Sequence, residues 1–138
     1  MDIRRITGDF SVSPQISPGD IPDIAAAGFR SVLCNRPDEE EPGQPDYAAV
    51  AEAAEAAGLE IRSVPIPLGP TTRETVSDFA RALDEMERPV LAYCRSGTRC
   101  AMLWSIVSYG ALSGDEIIRR AREAGYDMAG LVRQIERG

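Results

Sequence analysis

The segment Cys94-Arg95-Ser96-Gly97-Thr98-Arg99-Cys100 puts two thiols, two guanidiniums, two hydroxyls and a glycine into seven consecutive residues. A thiol is a nucleophile only as its thiolate, and a free cysteine ionises near about pH 8.5. Guanidiniums and the amides of a helix N-terminus lower that value, so Cys94 is expected to be ionised at neutral pH. The same donors hold an oxyanion or a sulfur-bearing anion, which puts nucleophile and cradle in one piece of chain. Cys94 and Arg99 are therefore the expected catalytic pair, with Arg95, Ser96, Gly97, Thr98 and Cys100 completing an anion-binding loop. A buried, inert cysteine closing a core strand is the plainer alternative. It leaves the arginines on both sides of the turn without a purpose.

Composition narrows the chemistry. The chain holds no histidine, so neither a Cys–His pair nor a His-based metal site can form, and ionisation must come from electrostatics alone. Three cysteines without a Cys-x-x-Cys pair make zinc a poor expectation; no metal and no cofactor is expected. A net charge of −7 argues against nucleic acid or an anionic membrane as partner and favours a small anionic substrate drawn to a local positive site. No apolar run follows Met1–Arg5 and no stretch of membrane-spanning length occurs, so the expected location is the cytoplasm.

The loop resembles the signatures of two families that use a thiolate in a loop, the protein-tyrosine phosphatases and the rhodaneses. Phosphatases place five residues between cysteine and arginine and rhodaneses four; Cys94 and Arg99 enclose four. A shorter loop is narrower, and a phosphoryl group needs more room than one sulfur atom. The expected activity is therefore sulfur transfer through a Cys94 persulfide, from a donor such as thiosulfate or a persulfide. The alternative is phosphatase-like hydrolysis of a phosphoester through a phosphocysteine, which ordinarily uses a general acid. By resemblance that acid follows the strand ending at Val64, where Pro65 to Pro70 offers no carboxylate. Asp38 or Glu39 would have to substitute. A third reading is a non-catalytic anion-binding or redox-sensing module, with Cys34 as redox partner of Cys94.

These residues need elements to position them. Pro89 to Tyr93 reads as a buried strand, Ser96 to Thr98 as a sharp turn and Ala101 to Tyr109 as an apolar helix. Upstream, Ile6 to Val12 reads as an edge strand, Ser17-Pro18 as a helix start, and Phe29 to Asn35 as a strand. The Pro-rich, acidic stretch Arg36 to Pro45 reads as a solvated surface loop. Leaving the carboxyl end of its strand, it overhangs the edge where Cys94 lies, making Asn35, Arg36 and Asp38 candidates for the pocket rim or acid. Asp46 to Ala57 is helical, Leu59 to Val64 alternates as a strand, and a helix opens at Thr71-x-x-Glu74. Ser113-x-x-Glu116 opens another, and Met128 to Arg137 is a last short one.

Strands alternating with helices predict one α/β domain over residues 1–138, with a mainly parallel sheet of four or five strands and helices on both faces. The order Asn35-Arg36-Pro37-Asp38-Glu39, Pro65-Ile66-Pro67 and Tyr93-Cys94-Arg95-Ser96-Gly97-Thr98-Arg99 resembles the phosphatase-like domain family of the beta-lactamase-hydrolase-like proteins, over about residues 3–110. That resemblance implies a protein-tyrosine-phosphatase-like fold and leaves both activities open. The chain differs from it at Cys100, where a Ser or Thr whose hydroxyl donates to the thiolate usually follows the loop arginine.

Overall fold

Val90 to Tyr93, apolar throughout, forms a strand buried on both faces, as a central parallel strand must be. A computed structural model describes residues Met1–Gly138. Its strands are β1 (Arg4–Arg5), β2 (Phe10–Ser13), β3 (Ser31–Cys34), β4 (Glu60–Ser63) and β5 (Val90–Tyr93). Its helices are α1 (Ile21–Ala26), α2 (Tyr47–Ala56), α3 (Arg73–Glu85), α4 (Thr98–Ser108), α5 (Gly114–Glu123) and α6 (Ala129–Arg137). One sheet runs in the order β1-β2-β5-β3-β4, parallel except for β1. No helix is long and apolar enough to cross a membrane.

The pleat sorts the core in two. Val32, Cys34, Leu91 and Tyr93 face α1 and α2, while Leu33, Val90, Ala92 and Cys94 face the layer containing α3 to α6. The α/β class, the parallel sheet and the two helical layers are as the alternating pattern requires.

Three local expectations change. Ile6 to Val12 is not an edge strand: the strand within it, β2, lies inside the sheet because Arg4 and Arg5 pair with Val12 and Ser11 and cover its outer side. The helix expected from Thr71 is capped by Thr72, whose hydroxyl accepts from the Thr75 amide at 3.1 Å. The stretch after β3 is not merely solvated, since Asn35 and Arg36 are buried.

Candidate active site

β5 delivers Cys94 to the carboxyl edge of the sheet, and the chain turns at once into α4. Gly97 makes that turn: it caps α4 in the left-handed region, at φ 91°. A Cβ there would also collide with the Tyr126 hydroxyl, so the position is restricted to glycine by space as well as by backbone. Tyr126 braces the loop from below by donating to the Ser96 carbonyl at 3.0 Å, and the Gln15 amide donates to the Arg95 carbonyl at 3.2 Å. The Ser96 and Thr98 hydroxyls lie 3.0 Å apart on the exposed side of the turn.

Cys94 is 1% exposed, yet its thiol is drawn down to about 5. The chief cause is the Cys100 thiol, which donates to it; burial opposes ionisation, and the amides of Cys100, Arg99 and Gly97 favour it. The Gly97 amide lies 3.1 Å from the sulfur. Cys100 is driven the other way, well above the ordinary thiol range, first by its own burial and then by the charge it faces. It stays protonated and remains a donor. A thiol at this position thus fills the place of the expected hydroxyl.

Arg99 is held with care. Its Nη1 and Nη2 donate to Glu40 Oε2 and Oε1, both at 2.7 Å, and Nη1 donates also to the Ile66 carbonyl at 2.8 Å. Of the five N–H groups of a guanidinium, this leaves Nε–H and the neighbouring Nη2–H, the side fork that suits a tetrahedral oxyanion. Glu40 accepts from Arg36 Nε at 2.8 Å as well, and Arg99 foremost holds its carboxyl at about 2. Arg36 Nη1 donates to Gln15 Oε1 and its Nη2 to Glu41 Oε1, each at 3.0 Å.

The candidate rim residues separate on inspection. Arg36 is 2% exposed with every nitrogen engaged, so it positions the loop rather than meeting a ligand. Asn35 is fully buried and ties β3 to the segment after β4, its Nδ2 donating to the Val64 carbonyl at 2.9 Å. Asp38 accepts from the Tyr47 amide at 2.8 Å, capping α2 instead of facing the sulfur. Cys34 pairs in register with Tyr93, which sends its side chain to the face opposite Cys94. The sheet therefore separates the two thiols that a redox pair would need together. Arg95 stands exposed at the mouth, 3.7 Å from Glu41.

Glu40, Gln15, Ile66 and Tyr126 belong to the arrangement and are not among the site residues expected from the sequence. Glu40 was hidden in an acidic run that carries no periodicity. The Ile66 contact is through a carbonyl, which no side-chain pattern reports.

A family model described as "Beta-lactamase hydrolase-like protein, phosphatase-like domain" matches residues 2–111. Beta-lactamase hydrolase-like proteins of Agrobacterium fabrum and Xylella fastidiosa are each 34% identical, covering 99% of this chain and 32% of their own length. The chain thus spans about a third of the curated relatives it matches. The crystal structure of a candidate phosphatase from Neisseria meningitidis Z2491 superposes with a TM-score of 0.86 at 35% identity, covering 99% of this chain and 98% of that one. Tk-PTP in its active form gives 0.73 at 20% identity, covering 99% and 94%, a likeness of fold. With a family model across most of its length and relatives of this identity, the chain belongs to the phosphatase-like domain family of the beta-lactamase hydrolase-like proteins.

Proposed function

We propose that residues 1–138 act as one catalytic unit, a cysteine-dependent phosphatase acting on small phosphorylated substrates. The observation that carries this reading is a thiolate drawn down to about 5 beside a guanidinium whose outer fork is filled and whose side fork is open. The amides of the turn and the side fork of Arg99 bind the non-bridging oxygens and bring phosphorus onto the sulfur. Cys94 attacks, the leaving oxygen departs, and a phosphocysteine forms. Water then releases phosphate, and the returning thiolate is received by the Cys100 S–H and the loop amides. The phosphatase reading, and not the sulfur transfer favoured by spacing alone, has the support of the solved relative from N. meningitidis.

Sulfur transfer remains the second reading on one observation, the four-residue spacing between Cys94 and Arg99. One experiment separates the two. The purified chain and its Cys94→Ser variant are incubated with p-nitrophenyl phosphate and, separately, with thiosulfate. Phosphatase chemistry requires nitrophenol release and a phosphorylated Cys94 in the wild type alone. A persulfide on Cys94 with no nitrophenol released would reverse the assignment.

A further inference from the structure

The walls of the site hold no acid fixed in place for a leaving group. One wall is the segment after β4, fixed beside the nucleophile's arginine by two bonds: the Ile66 carbonyl receives Arg99, and the Ile66 amide donates to the Asn35 carbonyl at 2.9 Å. Its residues are Pro65, Ile66, Pro67, Leu68, Gly69 and Pro70, and Leu68 is 77% exposed. None carries a titratable proton, and the three prolines lack even an amide N–H. The opposite wall is acidic: three of its four carboxylates are already bound, and the fourth, Glu39, stands exposed to solvent. Glu40 is fixed as a carboxylate by Arg99 and Arg36, Glu41 accepts from Arg36 Nη2 at 3.0 Å, and Asp38 is turned to the Tyr47 amide. The chain has neither histidine nor lysine to take the part. Tyr126 spends its hydroxyl proton on the Ser96 carbonyl beneath the loop.

Resting on the phosphatase reading, we infer that the site cleaves phosphoanhydrides, whose leaving group departs as a stable anion, and does not cleave alkyl phosphate esters. Cys94 S⁻ attacks the terminal phosphorus; the S–P bond forms and the bridging P–O bond breaks. The electron pair stays on the bridging oxygen, which leaves as an unprotonated phosphate. In the second step water adds to phosphorus, the S–P pair returns to sulfur, and the water proton goes to the released inorganic phosphate. Arg95 gives this leaving group a place. It stands at the mouth with its side chain 69% exposed, and its loose 3.7 Å pairing with Glu41 is one that a second anionic group displaces.

The test is a leaving-group series on the whole chain: aryl phosphates spanning phenol pKa values of about 5 to 10, tripolyphosphate, and glycerol phosphate. Without an acid, kcat/KM falls steeply along the aryl series, roughly tenfold per pKa unit. Tripolyphosphate exceeds glycerol phosphate by at least about 10²-fold, the lower range of what general acids supply. Arg95→Ala lowers kcat/KM for tripolyphosphate by about tenfold more than for p-nitrophenyl phosphate. A flat aryl series, or glycerol phosphate turned over as readily as tripolyphosphate, overturns the inference while leaving the phosphatase reading intact. Failure of every substrate to phosphorylate Cys94 overturns both, and the adduct measurement distinguishes that result from the first.

Discussion

Replacing Cys100 with alanine removes the largest single influence that keeps Cys94 ionised. With its thiol at about 5, Cys94 is only about 1% protonated at pH 7. A hydrogen bond to a charged group contributes roughly 1.5–3 kcal/mol, and one pKa unit corresponds to about 1.36 kcal/mol. The alanine variant should therefore ionise about one to two pH units higher, leaving between about a tenth and a half of the thiol protonated at pH 7. Cys100→Ser keeps a donor at the same place and should stay within about half a unit of the wild type. The assay is the rate of iodoacetamide alkylation against pH, with the modified peptide identified by mass spectrometry. Cys34 and Cys100 do not interfere in this window, because burial pushes both upward. An unchanged midpoint in Cys100→Ala would refute the reasoning. So would a wild-type midpoint in the ordinary thiol range near about 8.5.

The same depression has a sign in stability. Because the folded-state value lies below the unfolded one, ionised Cys94 stabilises the fold fully above about pH 8.5, and that contribution is lost as pH falls through about 5. Denaturant melts of wild type against Cys94→Ala should show their difference rising between those values and level outside them. Glu40→Gln breaks the fork that aligns Arg99 and leaves Arg36 short of a partner. It should destabilise by about 3 kcal/mol in urea unfolding and raise KM for aryl phosphate more than tenfold. Arg99→Lys keeps the charge but loses both forks, and kcat/KM should fall by about 10²-fold or more in steady-state assays. Asp38→Asn should cost no more than about 1 kcal/mol through the weakened α2 cap and leave turnover unchanged; a lost basic limb in its pH–rate profile would instead mark Asp38 as the acid.

What could be read in advance followed from local pattern. Val90 to Tyr93 and the turn at Gly97 announce a strand feeding a helix N-terminus, and the apolar runs alternating with helices leave little choice but a parallel sheet. Nucleophile and arginine, five positions apart in the sequence, were legible for the same reason. The contacts that hold them were not, because they join distant segments. Glu40 reaches Arg99 across 59 residues and Tyr126 reaches Ser96 across 30. A run of acidic residues in a Pro-rich stretch has the composition of a solvated loop. Only the sheet order, which brings the end of β3 beside the end of β5, reveals that one of its carboxylates is paired, partly buried, with a guanidinium. Cys34 misled in the opposite way. Proximity at a sheet edge suggests a thiol pair, but Cys34 stands in register with Tyr93, one residue short of Cys94, and its sulfur lies on the other face.

The most direct measurement is a rapid acid quench of the wild-type chain during turnover of p-nitrophenyl phosphate, followed by peptide mass spectrometry at Cys94. A phosphoryl group on that sulfur, absent from Cys94→Ser and lost on further incubation as phosphate appears, is the expected result. An unmodified Cys94 while phosphate is still being released would contradict a covalent thiolate mechanism.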